Sequence, residues 1–214
     1  MSANVKNSMD QGGDTWTIGV GGTLNVEGTL NCSGTIDVGD GTLNVEEITV
    51  DAEAAEHGAG AIGTGAAPKT HRWTENGTII TETKIDLQGL TSKNTANDVI
   101  GLAAGGAAYI GRNVVAKNGI IYKEELICLE TPAGGDNDIN VVAAASGTLE
   151  YDGAGGTTYG INGGDAVAGQ VVQNLVPAQT ANHYFYLTAG TGDTAAAYTA
   201  GQFIFRTYGH ALLS

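Results

Sequence analysis

From Ile18 to Val38 an apolar residue or glycine holds every even position, and polar residues hold the odd positions from Thr23 onward. A period of two predicts extended chain with one buried face. The same stretch is a repeat. Gly-Thr-Leu-Asn-Val stands at 22–26, Gly-Thr-Leu-Asn-Cys at 28–32, Gly-Thr-Ile-Asp-Val at 34–38 and Gly-Thr-Leu-Asn-Val again at 41–45. A glycine every sixth residue on the apolar face permits close approach of another backbone. Four short copies cannot bury that face alone. The pattern therefore predicts a β-repeat stalk over residues 15–50, intertwined with two further copies of the chain. Ile18, Val20, Leu24, Val26, Leu30, Ile36 and Val38 would form the contact. The extra residue at Asp40 moves Leu43 and Val45 to the other parity, so the stalk should bend or end there. Two ordinary hairpins with glycine-containing turns remain open as the alternative.

Residues 51–71 read as an acidic, Gly-rich linker, and residues 1–14 as a flexible arm. Beyond Arg72 short apolar runs alternate with Gly, Asp, Asn and Thr turns, which predicts a β-sandwich, jelly-roll-like, over 72–210. Asn76-Gly77 and Asn118-Gly119 each join two such runs and predict two-residue hairpin turns, Arg72–Thr81 and Val114–Lys123. Further strands are expected at Thr83–Leu87, Glu125–Glu130, Ile139–Ala143, Tyr184–Leu187 and Phe203–Tyr208. The last two are expected to pair across the loop Thr188–Ala200. Only 165–176, with Val167, Val171 and Leu175 four residues apart, reads as helical, and Pro177 would end it.

Composition sharpens this picture. The 214 residues include 34 Gly and only 15% charged residues, with 23 acids against 9 bases for a net charge of −14. Residues 1–60 hold ten acids and one base. Such a field opposes direct nucleic-acid binding, which needs clustered Lys and Arg. No apolar run reaches the length of a membrane helix, and the first residues lack a signal-peptide core, so synthesis in a cytoplasm is expected. Cys32 and Cys128 are too few for a disulfide framework and read as buried thiols.

Catalytic and metal motifs fail on spacing. Gly58-Ala59-Gly60-Ala61-Ile62-Gly63 has the spacing of a dinucleotide loop, but an acidic stretch precedes it and a Pro-containing coil follows. Asp136-Asn137-Asp138 places oxygens at alternate positions. Its continuation lacks the Gly and Glu of a calcium loop, so a hairpin tip is expected, with adventitious calcium open. His57, His71, His183 and His210 have no ligand-like spacing. Glu46-Glu47 and Glu124-Glu125 point to opposite faces of a strand and read as solvated. No enzyme, cofactor or metal site is expected. The aromatics Tyr184, Phe185, Tyr186, Phe203, Phe205 and Tyr208 should divide between a core and an outward contact, with Tyr184 and Tyr186 outward.

The runs Tyr184-Phe185-Tyr186-Leu187-Thr188-Ala189-Gly190-Thr191 and Tyr198 to Gly209 (Tyr-Thr-Ala-Gly-Gln-Phe-Ile-Phe-Arg-Thr-Tyr-Gly) resemble the C-terminal hairpin of structural proteins of tailed bacteriophages, especially marine phages and cyanophages. Ile85-Asp86-Leu87-Gln88-Gly89-Leu90 with Asp98-Val99-Ile100-Gly101 is similar too, and the resemblance spans roughly residues 79–209. It implies a virion protein with a β-sandwich body that decorates and cements the capsid as a homotrimer, its partners being itself and the major capsid protein. A tail fibre or receptor-binding adhesin is the alternative, with the body gripping a glycan. A glycan-cleaving enzyme would need a carboxylate pair that the sequence does not offer.

Overall fold

A computed structural model of the chain describes residues 56–155, 160–179, 182–192 and 194–210. The stalk candidates Ile18, Val20, Leu24, Val26, Leu30, Ile36 and Val38 lie outside the described residues, as do the arm and Cys32.

The described chain is all-β, in two antiparallel sheets with almost no helix. Strands run in the order β1 (Lys69–Glu75), β2 (Thr78–Asp86), β3 (Tyr109–Asn113), β4 (Ile120–Ala133), β5 (Asp138–Ala144), β6 (Gly160–Asp165), β7 (Val171–Gln179), β8 (His183–Ala189) and β9 (Ala200–His210). One sheet has the order β1-β2-β9-β4-β7 and the other β3-β8-β5-β6. Inward residues of both sheets share one core, among them Ile85, Leu126 and Phe203 from the first and Ile139, Val141 and Leu187 from the second.

The first Asn-Gly forms the expected hairpin. Asn76 and Gly77 both take positive φ, and β1 pairs with β2 from Glu75↔Thr78 to Lys69↔Lys84. Thr83–Leu87 is no separate strand, because β2 runs unbroken to Asp86. The second Asn-Gly does not form a hairpin. Val115–Asn118 is a single helical turn, α1, between strands of different sheets. The Asn118 side chain decides this. Its Oδ1 accepts from the Val114 N–H at 2.7 Å, and its Nδ2 donates to Thr81 Oγ1 at 2.8 Å in the buried interior.

Residues 165–176 are not helical. Asp165 ends β6 and Val171 begins β7, with Gly169 at φ +88 between them. Pro177 does not end this element but lies within β7, the outermost strand of its sheet, where a missing donor is tolerated. The spacing by four fell on two exposed residues of one strand face and one turn residue.

β8 and β9 do not form the expected C-terminal hairpin. They lie in different sheets, and Phe185 meets Phe205 between them. The connector is tied down as it crosses: the Tyr198 hydroxyl donates to Asp136 O at 2.7 Å, and the Tyr198 N–H donates to Leu90 O at 2.8 Å. Burial pushes the Tyr198 hydroxyl well above its ordinary pKa.

The described part of the expected linker, residues 56–71, is built into this body. Gly58 N–H donates to Tyr109 O and Gly60 N–H to Ala107 O, each at 2.8 Å, and Arg72 Nη2 meets Glu56 Oε1 at 3.0 Å. A Cβ at Gly58 would fall 1.9 Å from Ala107 O, so glycine is required for the approach. The body thus begins before β1, which itself starts at Lys69 and not at 72.

Candidate functional site

The two outward faces of the sheets differ. Behind the four-stranded sheet, loops return over Val99, Ala108, Val142, Ala144 and Tyr186, which form a second small core. The Tyr186 hydroxyl donates to Ser146 O at 2.8 Å and accepts from the Leu149 N–H at 3.3 Å. Tyr186 is fully buried, which corrects its placement on an outward contact. Tyr184 is half-buried and packs edge-on against Tyr109, ring centroids 5.1 Å apart. The cause is local: β8 carries its outward aromatics beneath the Ser146–Leu149 loop.

No described residue outside the sheet covers the outward face of the five-stranded sheet, and register aligns its side chains in rows that cross the strands. Trp73, Ile80, Tyr208, Lys123 and Leu175 are successive cross-strand partners. The next row is His71, Glu82, Arg206, Glu125 and Gln173. The third is Lys69, Lys84, Ile204, Ile127 and Val171. A polar row therefore runs between two rows rich in apolar side chains.

The polar row is held by charge-assisted bonds. Arg206 Nε donates to Glu82 Oε2 at 2.7 Å, and Arg206 Nη1 lies 3.4 Å from Glu125 Oε2. The Tyr208 hydroxyl donates to the same Glu125 oxygen at 2.9 Å, while Gln173 Nε2 donates to Glu125 Oε1 and Lys123 Nζ lies 3.8 Å away. Burial pushes the Glu125 carboxyl up. The hydrogen bonds from Tyr208 and Gln173, together with the charges of Lys123 and Arg206, outweigh burial and hold it below the usual carboxylate range. Burial and the bond to Glu125 raise the Tyr208 hydroxyl. Lys123 also sits over the Tyr208 ring at 4.5 Å. Glu82, Arg206, Glu125 and Gln173 thus hold one another in fixed orientations.

Two expectations about acids change here. Glu124 and Glu125 are both buried, not solvated; β4 is an interior strand, flanked by β9 and β7. The segment at Asp136 and Asp138 is no hairpin tip, since it joins β4 and β5 of different sheets. Asp136 is buried, its Oδ1 accepting from the Asp138 N–H and its own N–H donating to Ser92 Oγ, both at 2.9 Å. Among the described residues no group of three His, Cys, Asp or Glu is placed to hold a metal ion. Cys128 is buried, donates from Sγ to Glu130 O at 3.3 Å and is raised in pKa by that burial. The small cavity beside it, lined by Leu126, Cys128, Ala166 and Phe203, holds about 10 Å³, room for one water-sized sphere.

The sequence reading missed the Glu82–Arg206–Glu125 row. Arg206 was visible as the one base inside the aromatic run Phe203–Tyr208, on the opposite parity from Phe203 and Phe205. Its partners were not visible, because they come from strands more than 80 residues away. No helix among the described residues is long and apolar enough to cross a membrane. Comparison of the chain with protein-family models, with curated proteins and with solved structures finds no match.

Proposed function

We propose that this chain is a virion structural protein that binds the outside of a tailed-phage capsid as a homotrimer and cements the shell. In this reading the two sheets form a jelly-roll-like β-sandwich, the N-terminal repeat is an intertwined stalk, and the major capsid protein is the partner. The protein is made in the host cytoplasm and resides on the capsid surface. It carries out no reaction and needs no cofactor.

One observation carries the reading. Among the described residues the five-stranded sheet offers an open face with a hydrogen-bonded polar row between two rows that mix apolar residues with lysines, on a body whose other outward face its own loops cover. An open face of this kind suits a macromolecular surface, whereas small ligands take enclosed pockets. Fixed donors and acceptors lower the ordering cost of association. The likeness of residues 79–209 to phage structural proteins supplies the identity of the partner.

A cryo-EM map of the parent particle tests it. Density for this chain at threefold or quasi-threefold sites of the shell is expected. Density only at the tail rejects the cement reading and assigns the chain to a fibre or adhesin. Light scattering tests the trimer: Leu24→Asp or Leu30→Asp should lower the assembled mass, and an unchanged mass rejects the stalk.

A further inference from the structure

The loops behind the four-stranded sheet leave its β3 margin partly open. Arg112 of β3 and Tyr184 of β8 are direct cross-strand partners there, so their side chains leave the sheet on the same side. That side is the outward one, because the next residue of β8, Phe185, lies in the shared core. Both Arg112 and Tyr184 are half-buried. The Tyr184 ring is held in place. Tyr109 meets it edge-on, and a Cβ at Gly147 would fall 2.5 Å from it. Among the described residues its hydroxyl makes no hydrogen bond.

Arg112 stands apart from the other bases. Of the three arginines, Arg72 meets Glu56, and Arg206 meets Glu82 and Glu125. Lys93 and Lys123 are paired as well, with Asp152 and Glu125. The Arg112 guanidinium has no carboxylate partner among the described residues, in a chain with 23 acids. Its Nε is buried without an acceptor. Lys69 and Lys84 also lack a carboxylate, but both are exposed and water solvates them. A half-buried guanidinium draws less from water, and without a counter-charge its desolvation stays uncompensated.

We infer that Arg112, with the Tyr184 hydroxyl beside it, is a binding site for a carboxylate. Charge complementarity selects the class, since a cation or an apolar group would leave the guanidinium uncompensated. The guanidinium presents a planar fork of N–H donors that matches the two oxygens of a carboxylate, and the phenol adds an O–H. With a net charge of −14 around the site, a monoanion is favoured over the more highly charged phosphate. A small carboxylate ion and an acidic side chain of a partner protein bring the same group. The site lies on the opposite sheet from the Glu82–Arg206–Glu125 row and does not rest on the capsid reading.

The test reads the Nε–Hε resonances of the three arginines by NMR in the isotope-labelled full chain, which needs no substitution. Titration with sodium acetate is expected to move the Arg112 signal along a saturating curve. Arg72 and Arg206, already paired, should stay within the shift that sodium chloride gives at matched ionic strength. Tyr184→Phe keeps the ring and should weaken acetate binding about threefold. An Arg112 shift no larger than in sodium chloride, or inorganic phosphate binding more tightly than acetate, overturns the inference. Particles stripped of the chain separate the two sources, with circular dichroism checking the fold of Arg112→Gln. A loss of particle affinity of about tenfold in Arg112→Gln assigns the carboxylate to a partner protein. An unchanged affinity with the acetate shift intact in the parent chain assigns it to a free ion. Failure of the unaltered chain to bind particles removes the cement reading, and the acetate titration still decides this one.

Discussion

Phe185 of β8 and Phe205 of β9 meet edge to face between the two sheets, their ring centroids 4.9 Å apart and their planes at 63°. Both are buried, and each lies in the shared core. This one contact joins the two layers, whose strands β8 and β9 are linked by the connector 190–199, so it reports on whether the sheets are assembled.

Truncating either ring should be costly. Phe205→Ala and Phe185→Ala are each expected to lower stability by about 3–5 kcal/mol. The double-mutant cycle should return a coupling of about 0.5–1.5 kcal/mol beyond the loss of burial. Urea unfolding of the three variants measures both. Additive effects would mean that the rings do not touch.

The polar row makes stability depend on pH. The Glu125 carboxyl is held below its ordinary value in the folded chain. Its contribution is therefore complete above the unfolded pKa of about 4.3 and is lost as pH falls through the lower folded value. Glu125→Gln should cost about 1–2 kcal/mol at neutral pH, and the difference from the unaltered chain should shrink below about pH 4. Arg206→Leu leaves both Glu82 and Glu125 without their guanidinium and should cost more than Glu82→Gln does. Thermal unfolding across a pH series separates these cases, and parallel curves would contradict the assignment.

Lys69 and Lys84 are direct cross-strand partners with exposed side chains at the β1 margin of the open face. Like charges so placed repel. Lys84→Glu replaces repulsion by attraction and should stabilise the chain by about 0.2–1 kcal/mol, an effect that shrinks in high salt. A denaturant midpoint that moves upward at low salt and less so at high salt is the expected outcome.

Gly58→Ala drives a Cβ to within 1.9 Å of Ala107 O. The segment Glu56–Ala61 should then detach from β3, releasing Glu56 from Arg72 while the sheets stay folded. Limited proteolysis should cut before β1 faster in this variant, with the circular dichroism of the sheets retained. An unaltered cleavage rate would show that the approach is not needed.

Much of the strand content was legible because its causes are local. Asn76-Gly77 between the runs Arg72–Glu75 and Thr78–Thr81 needs nothing beyond its own turn geometry, and the alternation Phe203, Phe205, Thr207 sets the inward face of β9 by itself. Asn118-Gly119 has the same two residues and the opposite outcome. Its side chain finds Thr81, 37 residues away, and that bond replaces the hairpin. The spacing of Val167, Val171 and Leu175 mimics a helix, but their environment is the rim of a sheet, where exposure removes the packing that periodicity presumes.

The all-β class, the Asn76-Gly77 hairpin and the position of most strands followed from the sequence alone, since period-two alternation and turn chemistry act over a few residues. Tertiary structure decided which strands are neighbours. It placed β8 and β9 in opposite sheets, buried Tyr186 beneath the Ser146–Leu149 loop, and brought Glu82, Arg206 and Glu125 into one row. Those outcomes depend on long-range pairing, where burial of side chains from distant strands outweighs the preference of any one segment.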